Sequence, residues 1–448
     1  MINLFENYRQ VEKDLEESLI QAGYRNRTIV LNDDGYLPNH VNSPISFFSG
    51  ISENKTLKNH SPKFFNEVSV PNYWEIKGDG QKAEIFEGYK KRGKINYSEV
   101  KREHRAVKSV EWLNDSGRIR AIDLYNKYGM LYGRESYSDG LLTLTTYFNE
   151  SLLEVILINH VTQSIQLNYK QKKYIFDSYN DFIIFYLQES KVNSSQIFYN
   201  SLGRPYFITE ALKNKEPDKN YNHTLFWQEE SADIPGNMRM ILSAKGGATK
   251  TIIVQNRQEY IRIHKQINVK SKVRIDYLGY LYPIKKRNKM NKSILIVTNS
   301  DNIPYLSELA RKLSDYRFNI AARTTMSDKL LSLEKLSNIY LYPTVESSEL
   351  GNLISECSFY FDINYGNQVE DIIRTAYENS QLIMGFAETI HNKQYISPDN
   401  IFSKQRWEDL SNALLKVTNT ARGYQTALAE QMWAAGQSSK ADYKEVLK

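Results

Sequence analysis

Residues 359–389, FYFDINYGNQVEDIIRTAYENSQLIMGFAET, carry a short apolar and aromatic run, a short polar loop, a segment of helical period and a second apolar run. Val369, Ile372, Ile373 and Ala376 recur at steps of three and four, so the middle segment presents one apolar face of a helix. Two buried runs joined by such a helix make a βαβ unit, which needs a parallel sheet covered on both faces. The loop with Asn364, Gly366 and Asn367 then falls at the carboxyl end of a strand, where α/β sheets hold ligands.

The rest of the chain divides around that requirement. Residues 5–22 read as a first helix stopped by Gly23, residues 27–31 as a strand, and 37–57 as loop rich in proline and serine. From 73 to about 174 the period shortens to two. The runs 107–113, 119–125, 131–137, 141–148 and 153–159 are separated by Asn114-Asp115-Ser116-Gly117, Ser138-Asp139-Gly140 and similar turns, an antiparallel meander. Strand and helix signals alternate again from 179, with a strand at 196–199, the loop 200–205 and a helix to 212. Further strands are expected at 223–227, 251–254 and 273–277, and helices at 235–242 and 256–266. Past a basic linker at 285–292, strands at 293–298, 318–321, 339–342 and 359–363 alternate with helices. The helix at 301–313 is opened by Asp301 with Pro304 in its first turn, and 436–448 read as a frayed polar tail. The expected organisation is α/β: residues 1–70 and 178–284 as a discontinuous Rossmann-like domain, 71–177 as an inserted antiparallel β domain, and 285–448 as a second Rossmann-like domain with terminal helices.

Composition removes several function classes. One cysteine, Cys357, excludes an internal disulfide and a cysteine metal cluster, and seven scattered histidines show no metal spacing. No apolar run reaches the roughly 20 residues of a membrane helix. The first 18 residues lack the basic start and apolar core of a secretory leader, so a reducing cytoplasm is the expected compartment. A formal net charge of +6 is a mild bias. The basic clusters at 90–94, 101–105 and 285–292 read as solvated turns or linkers rather than a nucleic-acid surface. Gly246-Gly247 reads as a turn, His264 as a core-edge residue and Cys357 as a buried hydrophobe.

Two α/β domains, a meander inserted in the first and helices after the second resemble the GT-B glycosyltransferase architecture. Three long segments are more specific: ENYRQVEKDLEESLIQAGYRNRTIVLNDDGYLPNHVNSPISFF, SVEWLNDSGRIRAIDLYNKYGMLYGRESYSDG and DINYGNQVEDIIRTAYENSQLIMGFAET. They resemble the stabilising B subunit of the bacterial O-GlcNAc transferase complex that modifies serine-rich repeat adhesins before accessory Sec export. The resemblance implies a chain with no transferase activity alone. It implies pairing with a catalytic A subunit through the inserted β domain, in a heterotetramer on the cytoplasmic face of the membrane. It also implies binding of the Ser/Thr-rich acceptor and support of GlcNAc transfer from UDP-GlcNAc, with no cofactor or metal of the chain's own.

A retaining GT-B enzyme neutralises a leaving diphosphate with an Arg and Lys pair and holds the donor with two glutamates. Aligned through TAYENSQLIMGF, the glutamate positions carry Asn367 and Thr375, with Glu370 and Asp371 as possible substitutes that otherwise read as acids of the helix's first turn. Arg323 is the nearest basic candidate. Two functions therefore stay open: a non-catalytic acceptor-binding subunit and an active UDP-GlcNAc-dependent transferase. For the first, the expected acceptor-binding residues are Asn200, Ser201, Arg204, Asn299, Ser300, Asn364, Tyr365 and Asn367, loop amides, hydroxyls and one cation suited to peptide or sugar groups.

Overall fold

The computed structural model describes residues 1–51, 56–79, 82–98, 105–267, 271–286 and 290–448. Most of the basic cluster at 101–105, and the centre of that at 285–292, lie outside the described residues. The chain forms two compact units, Met1–Leu278 and Gly279–Lys448.

The first unit opens with strand β1 (Ile2–Phe5), helix α1 (Gln10–Ala22), strand β2 (Arg27–Val30) and the short helix α2 (Pro44–Phe48). The expected helix at 5–22 therefore begins five residues later, and a strand precedes it. β1 is four residues long and wholly buried, and a run that short has no period by which to tell strand from helix. Leu15 and Leu19 face the core from α1, while Val11 and Ile20 are exposed, and Gly23 ends the helix at φ 101°.

Ten strands follow: β3 (Trp74–Gly78), β4 (Ala83–Glu87), β5 (Lys90–Tyr97), β6 (Val107–Leu113), β7 (Ile119–Tyr125), β8 (Leu131–Ser138), β9 (Leu141–Phe148), β10 (Glu154–Asn159), β11 (Ile165–Tyr169) and β12 (Lys172–Phe176). They form one ten-stranded antiparallel sheet in chain order. The basic cluster at 90–94 is strand β5, not a turn or linker. Its charges are matched by β4 and by the β6–β7 turn, Lys91 to Glu84 at 2.6 Å and Arg92 to Glu87 and Asp115 at 2.5 and 2.7 Å. Asp123 is buried on β7 and accepts from Trp112 Nε1 on β6 (2.8 Å) and Arg134 on β8 (2.5 and 3.1 Å), which satisfies a carboxylate that would otherwise be costly to bury.

After the meander come α3 (Tyr179–Glu189), β13 (Ile197–Tyr199), α4 (Arg204–Lys215), β14 (His223–Trp227), α5 (Gly236–Ser243), β15 (Thr249–Val254), α6 (Arg257–Gln266) and β16 (Arg274–Tyr277). These return to β1 and β2 in a six-stranded parallel sheet of order β16-β15-β14-β13-β1-β2. Ile156, Ile165 and Leu167 of the meander share one core with Leu4, Ile29, Phe182 and Tyr199 of the α/β part. A separate small core, with Ile85, Ile95 and Val110, holds the far end of the meander.

The second unit contains β17 (Ser293–Val297), α7 (Leu306–Lys312), β18 (Arg317–Ala321), α8 (Asp328–Leu331), β19 (Ile339–Tyr342), α9 (Ser347–Glu356), β20 (Phe359–Asp362), α10 (Ile372–Glu378), β21 (Leu382–Phe386), β22 (Ile401–Phe402), α11 (Trp407–Thr418), α12 (Ala421–Ala434) and α13 (Lys440–Val446). Its sheet is parallel, of order β19-β18-β17-β20-β21-β22. The helix expected from 301 starts at Leu306, because Tyr305 adopts a left-handed backbone (φ 57°) that ends the Asp301–Pro304 segment as a turn. β22 pairs with Gly385 and Phe386, so among the described residues the earlier half of β21 has no strand on that side. There Gln431 of α12 takes the strand's place: its Oε1 accepts from Ile383 N (2.8 Å) and its Nε2 donates to Gln381 O (2.9 Å).

Residues 436–448 are not a frayed tail. Ser439 and Asp442 form a capping box on α13, and Tyr443, fully buried, donates to Gly279 O at 2.7 Å. Tyr280 also bridges Gln437 in parallel, so residues 279–284, expected in the first domain, belong with the second unit.

Candidate functional site

In the second unit the chain runs outward from β17 to β18 and β19, then returns to β20 on the other side of β17. The strand ends of β17 and β20 are therefore the point where strand order reverses, and the crevice there is where an open α/β sheet takes ligands. Beyond β17, Thr298 Oγ1 donates to Ser300 O (2.7 Å) and accepts from Ser300 N (3.0 Å), and Ser300 Oγ accepts from Asn302 N (3.1 Å). Asn299 is exposed at the tip of this turn.

The loop 363–371, beyond β20, is fastened on both flanks. Toward β17 and β18, Tyr365 N donates to Asn302 O (2.9 Å), and Arg323 donates through Nε and Nη2 to Glu370 Oε1 (3.2 and 3.0 Å). Toward β21 and β22, Lys404 Nζ donates to Tyr365 Oη (2.8 Å), and His391 lies with Nε2 3.0 Å from Gly366 O. Gly366, at φ 112°, sits so close to the β17 turn that a Cβ there would lie 2.5 Å from Asn299 Oδ1. Only glycine fits both the backbone angle and the contact.

His391 and Asp362 were not marked by sequence reading. Asp362 is fully buried at the last position of β20 and accepts from His391 N (2.8 Å) and Nδ1 (2.6 Å). With Asp362 at one ring nitrogen and a carbonyl at the other, both nitrogens must donate, so the imidazolium is the form that fits. The hydrogen bond to Asp362 raises the His391 pKa above its usual 6.5, against the effect of burial. The sign follows: this contribution to stability is full below pH 6.5 and is lost as pH rises through the folded-state pKa. A proton-detected titration of the His391 ring should give a midpoint above 6.5 that falls in Asp362→Asn. An unchanged midpoint in that variant would remove Asp362 as the cause.

Two carboxylates expected in the helix's first turn are not there. α10 starts at Ile372, since Glu370 has a left-handed backbone (φ 51°) and Asp371 is the residue before the first turn, making no side-chain cap bond. Glu370 is instead the partner of Arg323, which removes that arginine as a free cation. Thr375 Oγ1 of α10 donates back to Asp371 O (2.8 Å), and Asn367 is exposed on the loop. Asn364 is 1% exposed rather than a surface amide, and among the described residues its Oδ1 has no hydrogen-bond partner, which costs about 1–3 kcal/mol. Asn299, Ser300, Asn364, Tyr365 and Asn367 thus lie on the two touching loops that follow β17 and β20, with Asn364 buried.

In the first unit strand order reverses between β1 and β13. Asn200, Gln228 and Gln255 follow directly on β13, β14 and β15, and their amides form a ladder: Asn200 Nδ2 to Gln228 Oε1 (2.9 Å) and Gln228 Nε2 to Gln255 Oε1 (2.8 Å). Asn200 Nδ2 also donates to the buried Glu12 Oε1 (2.9 Å), so Asn200 belongs to an interior network and is 6% exposed. Ser201 Oγ accepts from Gly203 N (3.0 Å) and donates to Glu6 (3.3 Å). Arg204 donates to Asn32 Oδ1 (3.1 Å) and lies 4.7 Å over the Tyr179 ring, oriented but open at the surface. An amide one position past each of β13, β14 and β15 was the available signal for this ladder; the sequence reading singled out Asn200 as a loop amide and neither glutamine.

Elsewhere, Gly246 turns at φ 84°, and burial pushes the Cys357 thiol up to about 11. His264 is exposed and stacked on Tyr260 (5.5 Å) rather than at the core edge, because Ile263 takes the buried position of α6. Among the described residues no group of His, Cys, Asp and Glu could hold a metal ion.

Four family models match in chain order: GtfB N-terminal domain at 2–48, GtfB middle domain at 74–177, GtfB third domain at 179–266 and GftB/GlyA-F C-terminal domain at 294–431. The UDP-N-acetylglucosamine–peptide N-acetylglucosaminyltransferase stabilizing protein GtfB of Streptococcus agalactiae is 40% identical over 449 residues, 100% of this chain and 99% of that protein. The protein of the same name from Streptococcus parasanguinis is 40% identical over 93% of each chain. A chain in a crystal structure of the GtfA/B complex bound to UDP and GlcNAc matches over 100% of this chain and 99% of its own, with 35% identity and a TM-score of 0.89. The fold is GT-B-like, and over its whole length the chain belongs to the GtfB family of stabilising proteins of UDP-N-acetylglucosamine–peptide N-acetylglucosaminyltransferases.

Proposed function

We propose that this chain is the non-catalytic, stabilising and acceptor-binding subunit of a protein O-GlcNAc transferase. A catalytic subunit of the GtfA kind pairs with it through the ten-stranded antiparallel sheet and transfers GlcNAc from UDP-GlcNAc to Ser and Thr. The acceptors are serine-rich repeat adhesins, modified in the cytoplasm at the inner face of the membrane before accessory Sec export. The reading rests on full-length similarity to the family, and the observation in the site that most supports it is the state of its acids. Asp362 is committed to His391 and Glu370 to Arg323, and neither Asn367 nor Thr375 supplies a carboxylate to a donor sugar.

Acceptor binding is assigned to the strand-end loops, where Asn299, Asn367 and Arg204 are exposed and Ser300 and Tyr365 half-buried. Such amides and hydroxyls hydrogen-bond peptide or sugar groups without fixed charge. The test is fluorescence anisotropy of a labelled serine-rich polypeptide with the isolated chain. Arg204→Ala and a combined Asn299→Ala/Asn367→Ala variant should each weaken binding about tenfold, the value of one or two hydrogen bonds. Unchanged affinity in both would move the acceptor site off these loops.

A further inference from the structure

The fastened loop 363–371 does more than shape a crevice. We propose that Glu370 is an internal stand-in for a phosphate group: its carboxylate on Arg323 keeps shut a latent anion site of the pyrophosphate class at the ends of β17, β18 and β20. The inference concerns nucleotide exclusion and stands whether or not the chain binds acceptor.

Arg323 is prepared for an anion. It lies two residues beyond β18, and two neutral acceptors orient it: Nη1 donates to Val345 O (2.8 Å) and Nη2 to Ser347 Oγ (3.2 Å). Nε and again Nη2 converge on one oxygen of Glu370. A guanidinium held in this way offers phosphate oxygens the same fork it offers a carboxylate. Its side chain is 26% exposed, so the pair is reachable from solvent.

Glu370 carries the mark of an imposed position. A glutamate at φ 51° is uncommon, and such a conformation persists only where the surroundings hold it. Here the surroundings are the other fastenings of the same loop: Tyr365 N on Asn302, Lys404 on Tyr365, His391 at Gly366 O, and the Gly366 contact with Asn299. The loop therefore crosses the end of β17 and delivers its carboxylate to a residue of the neighbouring strand. An incoming phosphate must displace Glu370, so this chain's own acid competes with any nucleotide.

The test measures binding of inorganic pyrophosphate, UDP and uridine to the full chain by isothermal titration calorimetry at fixed ionic strength. Glu370→Ala should bind pyrophosphate and UDP about ten- to a hundredfold more tightly than the unaltered chain, the range of a charge-assisted contact released. Arg323→Ala in the same background should abolish the gain. The side chain of Glu370 is 45% exposed, so an unaltered melting temperature is expected and is checked alongside. No gain, a gain that survives Arg323→Ala, or a gain as large for uridine as for UDP would each overturn the proposal. Pyrophosphate and UDP gaining alike locates the effect in the phosphates; UDP gaining alone would contradict it.

Discussion

Tyr424→Ala should lower the melting temperature of the C-terminal unit by about 10 °C, corresponding to a loss of about 3–5 kcal/mol. Tyr424 sits on α12 with no exposed surface, and its ring meets Phe359 of β20 edge-on at 5.4 Å. Its hydroxyl points at two carbonyls, Ser358 O and Ser380 O, each 3.1 Å away, one just before β20 and one before β21. Truncation leaves a ring-sized cavity between helix and sheet, and that term dominates. Ser358 O keeps a second partner in Leu382 N (2.9 Å), so removing the hydroxyl alone costs little. Tyr424→Phe is therefore expected to cost about 1 kcal/mol, or about 2–4 °C. Equal losses in the two variants, followed by calorimetry, would show that the hydrogen bonds rather than the ring hold α12 to the sheet.

Gly385→Val should be as damaging, by the opposite route. Gly385 of β21 pairs with Asp362 of β20, and a Cβ at 385 would lie 2.5 Å from Asp362 O and 3.1 Å from Ile390. Backbone cannot give way as a flexible side chain can, so the two strands must separate at the position that positions Asp362. The expected cost is about 3 kcal/mol, at the upper end for overpacking. A second effect identifies the mechanism: with Asp362 displaced, the His391 titration midpoint should drop back toward 6.5. A destabilised variant whose His391 midpoint stays raised would show that the strain is absorbed elsewhere.

Much of this architecture was legible because local signals and tertiary demands agree. Asn114-Asp115-Ser116-Gly117 separates β6 from β7 as a hairpin turn should, and the apolar runs of β17, β20 and β21 are those of a sheet covered on both faces. The misreadings occur where one residue's backbone or one distant contact decides. Tyr305 and Glu370 each delay a helix by adopting φ above +50°, which no periodicity reveals. α13 is held by a single buried residue, Tyr443, reaching back to Gly279, and its sequence is otherwise that of a polar tail. At the site, the amides and hydroxyls of the strand-end loops could be picked out by position, but which of them face inward could not. The Asp362–His391 pair joins residues 29 apart in the chain, and nothing near either one marks the other.

The most direct test of the account is GlcNAc transfer from UDP-GlcNAc to a serine-rich polypeptide, measured with this chain alone, with a GtfA-type catalytic partner alone, and with both. The account predicts no transfer by this chain alone, weak or short-lived activity of the partner alone, and full activity on mixing. Transfer by the isolated chain that is lost in Glu370→Ala or Arg323→Ala would contradict it, and would make those residues catalytic rather than a closed pair.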